Sequence, residues 1–565
     1  MPDNQFATLR STVDPAARLR GFSFAGIPVG EVEILDMTPG MHIDTSREKR
    51  PGGSAMIVRN GRIRHDWVGR RPGTAEIIDN PDSDVVLRIF TVHFDNERRW
   101  LVRITKNNIY ATKDLGGWGP AFTGPAIGFD RRVDATQFAD FLYLSTPTKR
   151  VIKINFFSRT YEELDAPAPK AKYITSFADR VVVANVRDPI GGWTGTKLKW
   201  SGNGQPDEWD PLVDESAGEV NLDSAPGDYG DEVTGIFPMN QNLLILRERS
   251  VWLVERQPLA ADPFRITPII VGLGCDLPFT GALVPGGVMW ADRRTRGVYL
   301  WTPGNLPKRL SVSITRELYE DIDVSEWVEG AYDPYEGEYH LGLNVPDLIV
   351  DNRGDCIETK YMTKYWVFGF NTKAWSYDVG PICSTMGNIV GLDNLVFIDE
   401  LLGTIDEQVA VPGDATKPNP DGFIDDWGYD PEDIFQPALY KGTPTGEVIY
   451  YTFNTDIDYD CFRFDFLWQS QNMGNPSKGR TLMELQILTQ TIDKGRVSLE
   501  YSKNDHFWRH QKTLRPEGLP YRQRLSCKRR FTGDDIWWRI TSSAGGFRMY
   551  EFWVRMLERA RHSGG

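Results

Sequence analysis

Cysteine is sparse in this chain: Cys275, Cys356, Cys383, Cys461 and Cys527 are odd in number and far apart. That number and spacing suggest neither a disulfide framework nor a thiolate metal cluster, and the five read as reduced thiols in strands. Histidine is thin as well, with seven in 565 residues. No apolar run approaches the roughly 20 residues that a membrane-spanning helix needs. The opening Met1-Pro-Asp-Asn-Gln-Phe lacks the basic-then-apolar layout of a secretion signal, so synthesis in a cytoplasm is expected. Helical periodicity is scarce; the best stretch, Ser313 to Val328, sets Leu318, Ile322 and Trp327 near helical spacing and predicts one short helix. A basic excess is missing too. Lys+Arg 64 against Asp+Glu 78 leaves a formal charge of −14, which disfavours tight DNA binding by counterion release. The same charge permits a conduit, because a like-charged wall keeps a duplex from sticking.

Turns and aromatic residues are plentiful. Gly 53, Pro 36 and Trp 18 accompany short runs in which apolar and polar residues alternate, the period of half-buried strands. Six hairpin-like units recur, beginning near Arg99, Asp140, Asp179, Asn242, Gly287 and Glu338. Their spacing of roughly 40 to 60 residues suits one four-stranded propeller blade each. Gly391-Leu-Asp-Asn-Leu-Val-Phe-Ile-Asp is a candidate start for a further blade, so the expected fold is mostly β, a β-propeller of six to seven or eight blades. Around it, residues 1–90 read as an N-terminal arm and closing segment, broken by glycine and proline. The propeller is expected over 91–408, and 409–446 has the Pro/Gly/Asp-rich composition of a long loop or insertion. Longer alternating runs over 447–565, from Tyr450-Tyr-Thr-Phe to Phe547-Arg-Met-Tyr-Glu-Phe-Trp-Val, predict a C-terminal β-sandwich-like domain.

Chemistry-bearing patterns are weak. Gly191-Gly-Trp-Thr-Gly-Thr-Lys lacks the spacing of a phosphate-cradling loop and reads as an ordinary turn. His506 and His510 flank Trp508 at strand spacing, with no third ligand for zinc. Asp456, Asp458 and Asp460 would project from one side of a strand and could gather oxygen ligands for a cation. A solvated strand face or an interface contact is the simpler account, since three carboxylates alone do not fix a site. Tyr501-Ser-Lys-Asn-Asp-His-Phe-Trp approximates the turn-stabilising box of sialidase propellers, with Asp505 one position late. No catalytic, cofactor-binding or metal-binding residue is predicted.

One ordered set of motifs carries a family likeness. Trp200-Ser-Gly-Asn-Gly-Gln-Pro-Asp-Glu-Trp-Asp-Pro is followed by Asp231-Glu-Val-Thr-Gly-Ile-Phe-Pro-Met-Asn and its continuation to Glu255. Next come Gly272-Leu-Gly-Cys, Val288-Met-Trp-Ala-Asp-Arg-Arg-Thr-Arg-Gly-Val-Tyr-Leu-Trp and Tyr365-Trp-Val-Phe-Gly-Phe-Asn-Thr-Lys-Ala-Trp-Ser. Upstream, Pro51-Gly-Gly-Ser runs to Arg71-Pro-Gly. From about residue 50 to 380 the chain resembles the tail nozzle, or tail hub, proteins of short-tailed bacteriophages. The resemblance implies a structural virion protein without catalysis or cofactor. It would be a homohexameric ring below the portal and adaptor, contacting tail fibre or spike proteins, through which viral DNA passes transiently. The C-terminal domain or the 409–446 segment would act as platform or gate, and assembly would occur in the host cytoplasm. The alternative is a carbohydrate-binding or glycoside-cleaving propeller of a tail spike or adhesin.

Overall fold

The computed structural model describes residues 31–558, apart from 346–358, 389–438, 453–464 and a number of shorter stretches. Each predicted hairpin is the central pair of a blade, because alternating residues bury one side against each neighbouring sheet. Blade 1 holds Val86–His93, Arg99–Thr105 and Ile109–Thr112. Its outer place is taken by an irregular segment whose Gly119 and Phe122 N–H groups donate to Ala111 and Ile109. Blade 2 is Asp134–Phe138, Phe141–Ser145, Ile152–Asn155 and Thr160–Glu163. Blade 3 is Lys170–Phe177, Arg180–Asp188, Gly192–Trp200 and Gly218–Asn221. Blade 4 follows with Val233–Met239, Asn242–Arg247, Ser250–Arg256 and Phe264–Val271. Blade 5 has Ala282–Val284, Gly287–Asp292, Gly297–Trp301 and Lys308–Arg309. Blade 6 comprises Val328–Asp333, Glu338–Leu343, Met362–Gly369 and Ala374–Cys383.

Blade 7 closes the ring. Thr385–Asn388, Leu439–Gly442 and Val448–Thr452 pair in that order, and Gly73–Glu76 from the start of the chain adds the outer strand. Its first strand lies against the first strand of blade 1, so seven sheets surround one axis among the described residues. The outer strand's register, Thr74 opposite Tyr451 and Ala75 opposite Tyr450, ties two ends of the propeller that are some 370 residues apart in sequence. Tyr450-Tyr-Thr, read from sequence as the opening of the C-terminal domain, is thus a propeller strand. The predicted blade start at Gly391 lies outside the described residues; blade 7 begins at Thr385.

The C-terminal sandwich draws on both chain ends. One sheet pairs Phe547–Glu558 with Arg480–Thr491, which pairs in turn with Gln523–Gly533. On the other edge of Phe547–Glu558 sit Glu31–Leu35 and Val68–Arg70, the latter also paired with Gly61–Ile63. The facing sheet runs Ala55–Arg59, Phe466–Ser470, Trp537–Ala544, Arg496–Ser502, Arg509–Leu514. It continues blade 6, because Arg59 pairs parallel with Tyr377. Residues expected to be an arm therefore supply strands to the sandwich, where Val58, Ile63 and Val68 join the core.

The predicted helix exists but is shorter, Thr315–Val324. Ser325 ends it: its backbone is extended and its buried hydroxyl donates to the Asp321 and Asn344 carbonyls at 2.7 Å. Leu318 and Ile322 pack into a core shared by blades 5 and 6 and the sandwich, with Trp366, Trp375, Trp468 and Trp538. Trp327 stands outside the helix and donates its indole N–H to Ser384 at 2.8 Å.

Candidate functional site

Buried charge concentrates at two places, the closure and the axis. At the closure, Arg62 lies between the sandwich and blade 6, 3% exposed, and donates through both terminal nitrogens to the Asp378 carboxylate at 2.9 Å. Its Nε is 3.2 Å from Glu338, which also pairs with Arg64. Tyr451 from blade 7 donates to Asp378 at 3.0 Å and receives the Lys441 ammonium at 2.8 Å. The guanidinium groups of Arg62 and Arg71 lie over the Tyr451 ring at 5.0 and 5.6 Å. Asn60 fixes the approach. With φ 53 it occupies the left-handed region that asparagine tolerates, while its side chain accepts from Val379 N–H at 2.8 Å and donates to the Asp465 carbonyl at 3.0 Å.

Burial alone would push the Asp378 and Glu338 carboxyls up, but Arg62, joined by Arg71 at Asp378 and Arg64 at Glu338, holds both below the usual carboxylate range. Burial brings Lys441 down to about 8 despite Asp378. His340 is fully buried, with Nε2 3.4 Å from Glu338, and burial lowers its pKa against the pull of that carboxylate. Glycoside cleavage needs one carboxyl protonated and a second free to act as base or nucleophile. Here Glu338 and Asp378 are both held ionised and shielded by guanidinium groups, the chemistry of a structural clamp, while burial pushes Asp333 beside them up to about 6.

At the axis, Glu329 of the first strand of blade 6 is fully buried. Arg88 of blade 1 bonds to it, and Arg132, ahead of blade 2, reaches within 3.7 Å. Blade 7 adds the Thr385 hydroxyl and the Met386 N–H, both at 3.2 Å. Arg132 also donates to the Val328 carbonyl and lies 4.3 Å over Trp327. Burial brings its guanidinium down to about 10, against the pull of Glu329. Blades 2 and 6 are not neighbours, so an Arg132–Glu329 contact crosses the centre of the ring. Side chains of blades 1, 2, 6 and 7 are bridged there.

The sequence-selected residues fall elsewhere. Asp456, Asp458, Asp460, Asp505 and His506 lie outside the described residues; His510 is in the strand Arg509–Leu514 and Trp508 stacks with Arg539 at 4.7 Å. Gly192 to Lys197, read as a turn, is strand: Trp193 and Thr194 pair with Arg187 and Val186 across a bulge at Asn185 that absorbs the glycines. Cys275 and Cys383 are buried thiols. No group of three potential metal ligands occurs among the described residues. Five of the resemblance motifs, from Trp200 to Ser376, run through blades 3 to 6, whereas the upstream one supplies Ala55–Arg59, Gly61–Ile63 and Val68–Arg70 to the sandwich. Trp200 packs edge-on against Phe264 of blade 4, 5.0 Å between centroids, whereas Trp209 is buried with Tyr143 and Leu164 of blade 2. Asp231 caps the Arg249 N–H and Ser250 hydroxyl, at 2.6 Å each. Sequence reasoning passed over the closure arginines. Their signal was present in Arg59, Arg62, Arg64, Arg70 and Arg71, five cations within thirteen residues of a segment that also carries Ile63 and Val68.

No protein-family model matches the chain, and no curated protein matches it in sequence. Among solved structures it is similar to the extracellular domain of a hybrid two-component system from B. thetaiotaomicron, at 10% identity and TM-score 0.38, covering 80% of this chain and 47% of that one. The chain thus spans about half of that structure's length. It is also similar to YCF48 bound to D1 peptide, at 8% identity and TM-score 0.37 over 70% of this chain and 97% of that one. YCF48 from Cyanidioschyzon merolae gives 10% identity and TM-score 0.35 over 67% and 98%. What the described strands establish is a mostly β chain, a β-propeller with a sandwich built onto it.

Proposed function

We propose that this chain is a structural wall protein: the tail nozzle of a short-tailed phage, closing as six copies into a conduit for DNA below the portal and adaptor. The observation that carries the reading is that five of the motifs resembling that family fall in order in blades 3 to 6, where they cap turns and cover blade edges. The buried acids Glu338, Asp378 and Glu329 serve the same end, each held by arginine at the closure or the axis. Because the single propeller is bridged at its centre, the bore of such a conduit lies between copies, not within one. The acidic balance is also local. Residues 389–438 contain twelve carboxylates and one lysine, which leaves the remainder of the chain close to neutral.

Imaging of intact virions with a labelled chain tests this. Six copies in a ring at the distal tail support the nozzle. A lone chain on a peripheral fibre, with sugar released from host polysaccharide by the purified protein, would establish the glycoside-cleaving alternative instead.

A further inference from the structure

Two exposed surfaces on opposite ends of the propeller match each other. The first is the loop between the third and fourth strands of blade 3. Trp209 anchors it, fully buried, and Gly202 N–H donates to Glu208 at 2.9 Å. Asp210 shapes the tip: its carboxylate accepts from Leu212 N–H at 2.9 Å and its carbonyl from Val213 and Asp214 at 3.0 and 2.9 Å. A second turn is fixed by Asp214, which accepts from Ser216 N–H and hydroxyl. On this preformed support Leu212 is 94% and Val213 72% exposed. Asp207, Glu208, Asp210, Asp214 and Glu215 surround them, Asp207 being paired with Lys153. An apolar tip held rigidly has little ordering entropy left to lose on docking.

The second surface is at the other end of blade 4, where its outer strand leaves the sheet. Val271 is 65% exposed, and Ile269, Ile270 and Leu273 are half-buried around it. Gly272 N–H donates to the Arg249 carbonyl at 2.8 Å, and Arg294 reaches the Glu248 carbonyl at 3.3 Å, which sets both arginines beside the patch. Arg249, Arg294 and Arg296 are exposed; Arg249 stands beside Glu248 and Arg296 lies 3.8 Å over the Tyr319 ring. Nearby acids are engaged by backbone: Asp276 accepts from Arg293 N–H, and Asp292 from Asp276 and Thr295 N–H. Burial pushes the Glu248 carboxyl up.

Resting on the ring reading above, we propose that Leu212 and Val213 of one copy seat on the Val271 patch of a second copy, with Glu215 and its neighbours facing Arg249, Arg294 and Arg296. Apolar centre meets apolar centre and acidic rim meets basic rim, and such a contact between unlike surfaces repeats until a rotation closes it.

Analytical ultracentrifugation of the full chain tests the contact, with Leu212→Asp, Glu215→Arg, Arg294→Glu and the Glu215→Arg/Arg294→Glu pair. Each single variant should weaken self-association by at least about tenfold, the charge swap should recover most of it, and melting curves should match the parent. Leu212→Cys mixed with Val271→Cys should give disulfide-linked dimers under mild oxidation. Parent protein that stays monomeric at about 100 µM, well above the Kd of a standard-sized interface, overturns the contact, as does absence of cross-linking between the two cysteine variants. A ring on virions that both the Leu212 and Arg294 variants still form would sink this contact while leaving the nozzle reading intact; absence of any ring would remove both.

Discussion

Arg62 illustrates how one side chain can decide a fold's closure. It neutralises two buried carboxylates from different parts of blade 6 while stacking on a tyrosine of blade 7. Removing one partner of a buried ion pair leaves an uncompensated charge, which costs about 3–5 kcal/mol. Arg62→Ala should therefore lower stability by that order, read from urea midpoints. A loss below about 1 kcal/mol, the value of a surface pair, would show that water reaches the clamp. Glu329→Gln is expected to be similarly severe, since it strips charge from the site where Arg88 and Arg132 meet. Glu317, in the first turn of the helix, behaves in the opposite sense. Burial raises its pKa to about 7; Lys364 pulls the other way, and Asp321, Asp44 and Glu320 add to the rise. A carboxyl raised on folding favours the native state while protonated, so its contribution is full below the usual 4.5 and is lost as pH rises through 7. Glu317→Gln should match the parent near pH 4 and exceed it in stability at pH 8. A difference that does not change with pH would place Glu317 in free solvent.

At the scale of elements, blade 7 is assembled from three separate stretches of chain. Asn388 pairs directly with Leu439, the two flanks of the acidic segment 389–438. Replacing that segment with a two-residue Asn-Gly turn, which suits a hairpin, should leave the blade paired and the melting temperature unchanged. The isoelectric point, 5.2 for the whole chain, should rise sharply. A variant that fails to fold would show that the segment itself holds the blade together. The six central hairpins were legible in sequence because alternation and turn residues act within about ten residues. A seventh blade was anticipated, but not its strands, since the first, Thr385–Asn388, is four residues long and the outer one lies more than three hundred residues upstream. The helix was legible through Leu318 and Ile322, but not its end, which a buried Ser325 hydroxyl sets through a contact with Asn344.

The whole molecule is joined by more than its linker. Blade 6 and one sandwich sheet form a continuous nine-stranded sheet, and a single core cluster runs from Leu318 through Trp366 to Trp538. Elements that share a core unfold cooperatively, so scanning calorimetry should show one main transition. Two transitions separated by ten degrees or more, well beyond the roughly 2–4 °C that 1 kcal/mol shifts a domain of 150–250 residues, would mean that the sandwich folds on its own. Such a fused body suits a wall: force on the sandwich is transmitted into the blades through paired backbone.

Sequence alone determined the strand-and-turn period, the mostly β class and the scarcity of helix, because each depends on residues close together or on simple counts. Tertiary structure decided the rest. Which strand closes the ring, where the N-terminal segment inserts, and which acids meet arginine depend on pairings across hundreds of residues. The alternation in each strand is equally compatible with many partners, and long-range contacts such as those of Arg62 with Asp378 and Tyr451, and of Glu329 with Arg132, help select among them.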